Sequence, residues 1–193
     1  FVPVPGTEVL LGLWETRVQD FAAFAEETSQ APQPMLTHGP EGYEEKGHTW
    51  KSPGFEQGPT HPVCGVSVPD ARQFCAWLTQ RERQAGRIGP RQLYRLPRFH
   101  EWRQAVASEG PFAWGDAWPP PSGSGNFGGE ELRADPAFAE LQSRNQVPIP
   151  GYHDGFARTA PVGSFAPSRL GFCDLVGNVH EWLDETFVWQ GLL

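Results

Sequence analysis

The sequence predicts a loop-rich fold in which aromatic side chains, hydrogen bonds or ions hold irregular segments around a few helices and short strands. The 193 residues include 22 glycines and 20 prolines, which favour turns and loops over long regular elements. Aromatic residues make up 12% of a chain that is only 38% hydrophobic, so large rings must supply much of the core. A chain of this length is sufficient for one domain with a sizeable core.

The first predicted elements are a short strand and an amphipathic helix. Residues 9–14 are an apolar run bounded by turn signals, which is typical of a buried strand. Thr16 and Gln19 have the spacing of a capping box, and apolar residues recur at helical spacing behind them. A helix is therefore predicted to begin near Thr16 and to end near Thr28.

A long irregular stretch is predicted next. Residues 29–62 are rich in proline and glycine, and a loop of this length inside a compact domain needs to be held in place. We expect the rings of Trp50 and Phe55 to do this. A short strand is predicted at residues 62–67.

Two further helices are marked by local signals. Ser67 and Asp70 form a second capping box, and Gly86 is a natural C-terminal stop, so a helix is predicted between them. Another helix is predicted over residues 98–108. The remaining chain is predicted as loops and turns, apart from a helical turn and a strand edge at residues 136–141 and 161–165.

Charge and hydropathy argue against two kinds of partner. The net charge is -8, and phosphate binding needs clustered Lys and Arg, so nucleic acid is not expected as a partner. No apolar run approaches the ~18 residues that a membrane-spanning helix needs, so no membrane span is expected.

The cysteines indicate a reducing compartment. Cys64, Cys75 and Cys173 are an odd set without CxxC spacing, and we interpret them as reduced, packed thiols. The first residues lack the charged and apolar regions of a signal peptide, so a cytoplasmic location is expected.

The familiar catalytic motifs are missing. His100 and His180 each precede a glutamate, but neither has the second histidine of a zinc-binding HExxH helix. The sequence also lacks a Walker loop, a GxGxxG fingerprint and a GxSxG elbow. Motifs alone therefore do not indicate an enzyme.

Residues 171–182 are the most unusual stretch of the chain. Gly171 and Gly177 permit backbone conformations that a side chain would penalise, and Asp174 and Glu181 can supply hard oxygen ligands. Calcium takes six to eight oxygens, including carbonyls exposed at such turns. The stretch alone is compatible with a calcium site or with a tight turn whose acids face water.

Several ordered segments resemble the formylglycine-generating enzyme (sulfatase-modifying factor) family. They include Pro-Val-Gly-Ser-Phe and Gly-Asn-Val-x-Glu-Trp; each segment alone is a weak signal, but the match runs nearly end to end and in the right order. The matching segments are residues 14–24, 61–78, 94–97, 101–102, 114–115, 161–165 and 171–182.

The resemblance implies an α+β, C-type-lectin-like fold with small antiparallel sheets and two to three helices, formed by residues 1–193 as a single domain. It also implies two structural calcium sites. The first would use the side chains of Asp174 and Glu181 and the carbonyls of Gly177 and Val179. The second would use the side chains of Asn126 and Asp154 and the carbonyls of Phe127 and Phe156.

The resemblance does not extend to the catalytic residues. Formylglycine-generating enzymes oxidise a substrate cysteine with a cysteine pair and copper, and those cysteines lie in a C-terminal segment that this sequence lacks. None of Cys64, Cys75 and Cys173 matches a catalytic position. No catalytic residue is therefore assigned.

Three functions are compatible with this sequence. The first is a non-catalytic ligand-binding or display domain for a protein or peptide, as in variable proteins of bacterial diversity-generating retroelements, stabilised by calcium. The second is the N-terminal part of a copper-dependent oxidase that acts on a sulfatase cysteine. The third is a structural module of a larger multidomain protein.

Overall fold

The computed structural model describes residues 1–39, 42–106, 112–143 and 147–185. Short regular elements lie among long irregular segments, which confirms the predicted α+β, loop-rich fold. The strands are β1 (Val2–Pro3), β2 (Leu10–Leu11), β3 (Leu36–Gly39) and β4 (Gly42–Glu45), paired antiparallel as β1–β2 and β3–β4. The helices are α1 (Val18–Thr28), α2 (Val68–Gln84), α3 (Phe99–Val106), a 3-10 helix (Glu130–Ala134) and α4 (Phe138–Ser143). In these ranges, no helix is both long and apolar enough to cross a membrane.

Helix α1 ends at Thr28 as predicted but begins later than predicted. Arg17, not Thr16, is its N-cap residue, and the carboxylate of Asp20 accepts a hydrogen bond from the Arg17 backbone N–H at 3.3 Å. The predicted capping box of Thr16 and Gln19 is therefore wrong. The reason is that Thr16 uses its carbonyl to accept from the Val63 N–H, which holds it in the preceding loop.

Helix α2 has the predicted capping box. The Asp70 N–H donates to the Ser67 hydroxyl at 3.3 Å, and the Asp70 carboxylate accepts from the Ser67 N–H at 3.0 Å. Helix α3 is also confirmed up to Val106, and residues 107–108 lie outside the described ranges. Its first turn is held by Glu101, whose carboxylate accepts from the Arg98 N–H at 2.8 Å.

The predicted strands are mostly wrong. Only two residues of the 9–14 run form a strand, residues 62–67 contribute a single bridge to α1's N-cap residue, and residues 161–165 form a turn. Conversely, the stretch predicted as irregular contains the β3–β4 hairpin. Short apolar runs are ambiguous because loop-to-loop hydrogen bonds can satisfy their backbone as well as a sheet does.

Two hydrophobic clusters form the core. One joins α1 and α2 and contains Phe21, Phe24 and Trp50, with the partly buried Phe74 and Trp77 packed against it. Trp50 is only 5% exposed, so it does anchor the loop in which it lies.

The second cluster positions the unusual C-terminal stretch. Phe172 and Leu175 pack there with Val4 and with Ala105 of α3, and Phe172 is 1% exposed. These two apolar anchors hold residues 171–182 against the body of the domain. The acids between and after them are thereby carried inward.

Candidate metal centre and adjoining crevice

Residues 171–182 form a chain of turns with no helix or strand. Asp174 and Asn178 have left-handed backbone angles, with φ of 58° and 56°, and Gly177 has a φ of 93°. A Cβ on Gly177 would lie 2.5 Å from the Asn126 carbonyl oxygen, so only glycine fits at this position. This winding leaves the carbonyls of Gly177 and Val179 without a hydrogen-bond donor from any described residue.

The two acids of this stretch are both half-buried in the domain. The Asp174 carboxylate accepts from the Gly163 N–H at 2.6 Å, and the Glu181 carboxylate accepts from the Trp102 indole N–H at 2.6 Å. Burial raises the pKa of Glu181 to about 7, and the nearby charge of Asp174 adds to the increase. Burial also raises the pKa of Asp174. The structure thus places Asp174 and Glu181 in one electrostatic group.

Glu15 is a third carboxylate of this group, and no sequence pattern indicated a role for it. It is 7% exposed, and it accepts from the Asn178 side-chain amide at 2.8 Å and from the Val179 N–H at 3.3 Å. Burial, followed by repulsion from Asp174 and Glu181, raises the pKa of Glu15 to about 9. Its neighbours in sequence suggested only a helix start, although Glu15 lies inside one of the segments that match the family.

None of these three carboxylates forms an ion pair with a basic residue in the described part of the chain. Buried carboxylates without a compensating charge are costly. The donor set consists only of oxygens, which is the chemistry that a hard divalent cation prefers. The residues present therefore fit such an ion.

The second predicted group is also brought together, although its members are far apart in sequence. The Asp154 carboxylate accepts from the Phe127 N–H and from the Phe156 N–H, both at 2.8 Å. Asn126 is 7% exposed and donates its side-chain amide to the Arg158 carbonyl at 2.6 Å. Burial raises the pKa of Asp154.

Glu131 lies beside this second group and was missed by sequence reasoning. One of its carboxylate oxygens accepts from the Gly155 N–H at 3.0 Å, while the other is buried without a hydrogen-bond partner. Its charge contributes to the raised pKa of Asp154. The position of Glu131 in a polar stretch carried no signal that would have identified it.

The two groups are not ready-made clusters of acidic ligands. Across the described ranges, no set of three or more His, Cys, Asp and Glu side chains is arranged to hold a metal ion by itself. An ion at either group would therefore depend on main-chain carbonyls, as the predicted ligand sets do.

A crevice of about 700 Å³ adjoins the first group. Glu15, Val179 and Glu181 line one wall, so the candidate metal centre and the crevice share residues. The rest of the lining mixes aliphatic and polar residues with several large rings, including those of Trp14, Phe74, Trp77, Tyr94 and Trp182. The Trp182 ring is 49% exposed and is fixed by its indole N–H, which donates to the Val66 carbonyl at 2.8 Å.

The three cysteines are free and half-buried. Burial raises the pKa of the Cys64 and Cys75 thiols to about 11 and also raises the pKa of the Cys173 thiol. Thiols with such values are protonated near neutral pH and are poor nucleophiles. None of the three forms a disulfide in this structure, in line with the prediction of unpaired, packed thiols.

The fold and its irregular, oxygen-lined turns define an α+β domain of the formylglycine-generating-enzyme-like class. The sequence matches the Sulfatase-modifying factor enzyme 1-like domain over residues 12–191. The chain belongs to this family, and the resemblance found in its motifs is confirmed.

Comparison with known proteins gives relatives of two kinds. The chain is 32% identical over 129 residues to the formylglycine-generating enzyme of Mycobacterium tuberculosis, covering 66% of this chain and 34% of that protein. It is 30% identical over 142 residues to the inactive C-alpha-formylglycine-generating enzyme 2 of Bos taurus, covering 69% of this chain and 37% of that protein. The chain thus spans about a third of the length of these relatives.

A solved structure has the same fold. PvdO from Pseudomonas aeruginosa superposes with a TM-score of 0.62 at 20% sequence identity, covering 91% of this chain and 56% of that one. At this identity the likeness concerns the fold alone.

Proposed function

We propose that this domain is a non-catalytic ligand-binding domain whose irregular core is held by calcium. The observation that carries the proposal is the aromatic crevice beside the candidate metal centre. Its volume of about 700 Å³ lies in the range of ligand sites, and its aromatic lining is typical of protein and peptide recognition.

Calcium would stabilise the crevice by ordering the residues that the candidate metal centre and the crevice share. Asp174, Gly177, Val179 and Glu181 would hold one ion, with the Glu15 carboxylate beside them. The ion would neutralise a buried negative group and fix the turn that carries Trp182. At the second group, Asn126 and Asp154 would supply the side-chain oxygens, with the Phe127 and Phe156 carbonyls. The ligand is then bound by a surface that exists only in the ordered state of the turn.

The environment of the thiols supports the non-catalytic assignment. All three cysteines of the chain are described, and burial raises the pKa of each thiol. Oxidative chemistry on a substrate cysteine would need an accessible, activated thiol pair. A relative of this family that is named inactive is consistent with a scaffold whose catalytic role has been lost.

Peptide selection would test the binding proposal. A displayed peptide library is selected on the calcium-loaded protein, and the binders are compared on Trp14→Ala and Trp182→Ala variants. Both rings are at least 40% exposed, so truncating them should not unfold the domain. Trp118→Ala is the control, because Trp118 is 59% exposed and does not line the crevice. Binders that lose at least tenfold in affinity on the first two variants alone are expected; the absence of crevice-dependent binders would refute the proposal.

The second candidate is the N-terminal part of a copper-dependent formylglycine-generating oxidase that acts on a sulfatase cysteine. It is favoured by the relatives of about 30% identity that carry the name formylglycine-generating enzyme. The full-length protein with copper would be incubated with a Cys-x-Pro-x-Arg peptide and the product analysed by mass spectrometry. Conversion of the thiol to an aldehyde would replace the non-catalytic proposal with this one.

A further inference from the structure

Asn178 lies between the two candidate cation groups and uses every polar atom of its side chain. Its amide nitrogen donates to the Glu15 carboxylate at 2.8 Å and to the Ala160 carbonyl at 3.2 Å. Its amide oxygen accepts from the Asn126 amide at 3.0 Å and from the Ala160 N–H at 2.9 Å. One side chain thus joins an acid of the first group to a proposed ligand of the second.

The main chain makes the same connection. The Asn178 N–H donates to the Asn126 carbonyl at 2.8 Å, and the neighbouring Gly177 approaches that carbonyl too closely to allow a Cβ. Gly177 belongs to the proposed ligands of the first site, and Asn126 belongs to those of the second. The two ligand segments are therefore in direct backbone contact.

The hydrogen bonds also decide how Asn126 presents its side chain. The Asn126 amide nitrogen is taken up by the Asn178 oxygen and by the Arg158 carbonyl, so its own oxygen faces away from both. If Asn178 moves, the orientation of the Asn126 amide and the position of its backbone move with it. Order in the first turn is thereby transmitted to a ligand of the second group.

We propose that Asn178 is a positioning residue that couples the two sites, so that a divalent cation bound at one raises the affinity of the other. This inference rests on the calcium sites of the proposed function. Thermodynamic linkage requires the effect to be reciprocal, and coupling of this kind is typically on the order of fivefold or more in affinity.

The test is calcium titration calorimetry of the chelator-stripped protein. Glu181→Ala leaves the second site only, and Asp154→Ala leaves the first site only. In the wild type, the second calcium ion to bind is expected to have an affinity at least about fivefold higher than the same site shows in its single-site variant. The Hill coefficient of the wild type is expected to exceed one. The Hill coefficient comes from the wild-type protein alone, so it remains informative if a single-site variant fails to fold.

Asn178→Gly then removes the side chain while keeping the backbone, because glycine tolerates the φ of 56° at this position. In this background the two sites are expected to bind independently. Thr159→Val is the matched control: Thr159 is 8% exposed and bonded to Gln57 and His61, so the change loosens a neighbouring network outside the link. A merely structural effect would weaken binding in both variants but leave the coupling intact.

The outcomes separate the coupling from the calcium proposal itself. Fivefold tighter binding in the wild type that disappears in Asn178→Gly and persists in Thr159→Val supports the coupling. Two independent calcium ions in the wild type, or coupling that survives Asn178→Gly, overturn it while leaving the calcium sites in place. Wild-type protein that binds no calcium overturns both.

Discussion

The ion pair between Arg95 and Glu101 is predicted to make the free energy of unfolding fall as the pH is lowered into the acid range. The Arg95 guanidinium donates to the two carboxylate oxygens of Glu101 at 2.6 and 2.8 Å, and the Arg98 N–H adds a third bond at 2.8 Å. Glu101 is only 4% exposed. The bidentate bond to Arg95 lowers the pKa of Glu101 from 4.5 to about 2.

The size and sign of the effect follow from this change. A pKa lowered from 4.5 to about 2 corresponds to about 3 kcal/mol, at ~1.36 kcal/mol for each pH unit. Because the pKa is lower in the folded state, this stabilisation is fully present above about pH 4.5. It is lost as the pH falls from about 4.5 towards 2, where the folded-state carboxylate takes up its proton.

The measurement is the free energy of unfolding by urea at pH 7, 4.5 and 2.5, for the wild type and for Glu101→Gln. The variant is expected to be about 3 kcal/mol less stable at pH 7, with the difference shrinking at pH 2.5. Glu82→Gln is the matched control, since Glu82 pairs with Arg87 at the surface and solvent screens that pair. If both substitutions change stability equally at pH 7, or the difference for Glu101→Gln does not shrink in acid, the reasoning about burial and the bidentate bond is wrong.

Three further predictions concern the cation sites, the core and a helix cap. Removing calcium with a chelator should lower the melting midpoint, because an ion at 100 times its Kd stabilises the native state by about 2.7 kcal/mol. Glu181→Ala should abolish most of that effect at the first site. An unchanged midpoint would count against both sites. Phe24→Ala should cost about 3–5 kcal/mol in urea unfolding, because the ring is 2% exposed and contacts three other aromatic rings, whereas Trp118→Ala should change stability little. Equal losses would contradict the assigned core. Ser67→Ala should cost about 1 kcal/mol through the lost cap of α2, measured in the same way, and no loss would mean that Asp70 alone holds the helix start.

Helices were predictable because their signals are local. The Ser67–Asp70 box, the Gly86 stop and the apolar spacing of α1 lie within a few turns of each other, so α1, α2 and the described part of α3 appear within one or two residues of the predicted positions. Strands were not predictable in this way. Whether a short run such as residues 62–67 pairs with another strand depends on loops that are distant in the sequence.

The candidate site likewise has residues that a local pattern indicates and residues that only distant contacts bring in. Its glycines and acids in residues 171–182 form a local pattern, and that pattern, together with the family resemblance, identified Asp174 and Glu181 from sequence. Glu15 and Glu131 have no such pattern, because their roles come from distant neighbours. The neighbour of Glu15 is more than a hundred residues away in the chain, and that of Glu131 is about twenty residues away.

The sequence by itself determined the class of fold, the family and most of the helix positions, and it supplied the proposed oxygen ligands Asp174 and Glu181, since each depends on composition or on residues close together in the chain. Tertiary structure alone decided that Glu15 joins the first acidic group and that Asn178 is hydrogen-bonded to residues of both groups. It also decided that residues of the first group line the crevice that contains the aromatic rings. These features depend on burial and on contacts between distant segments. Burial sets the cost of an uncompensated charge, and no local pattern encodes which distant side chains will share it.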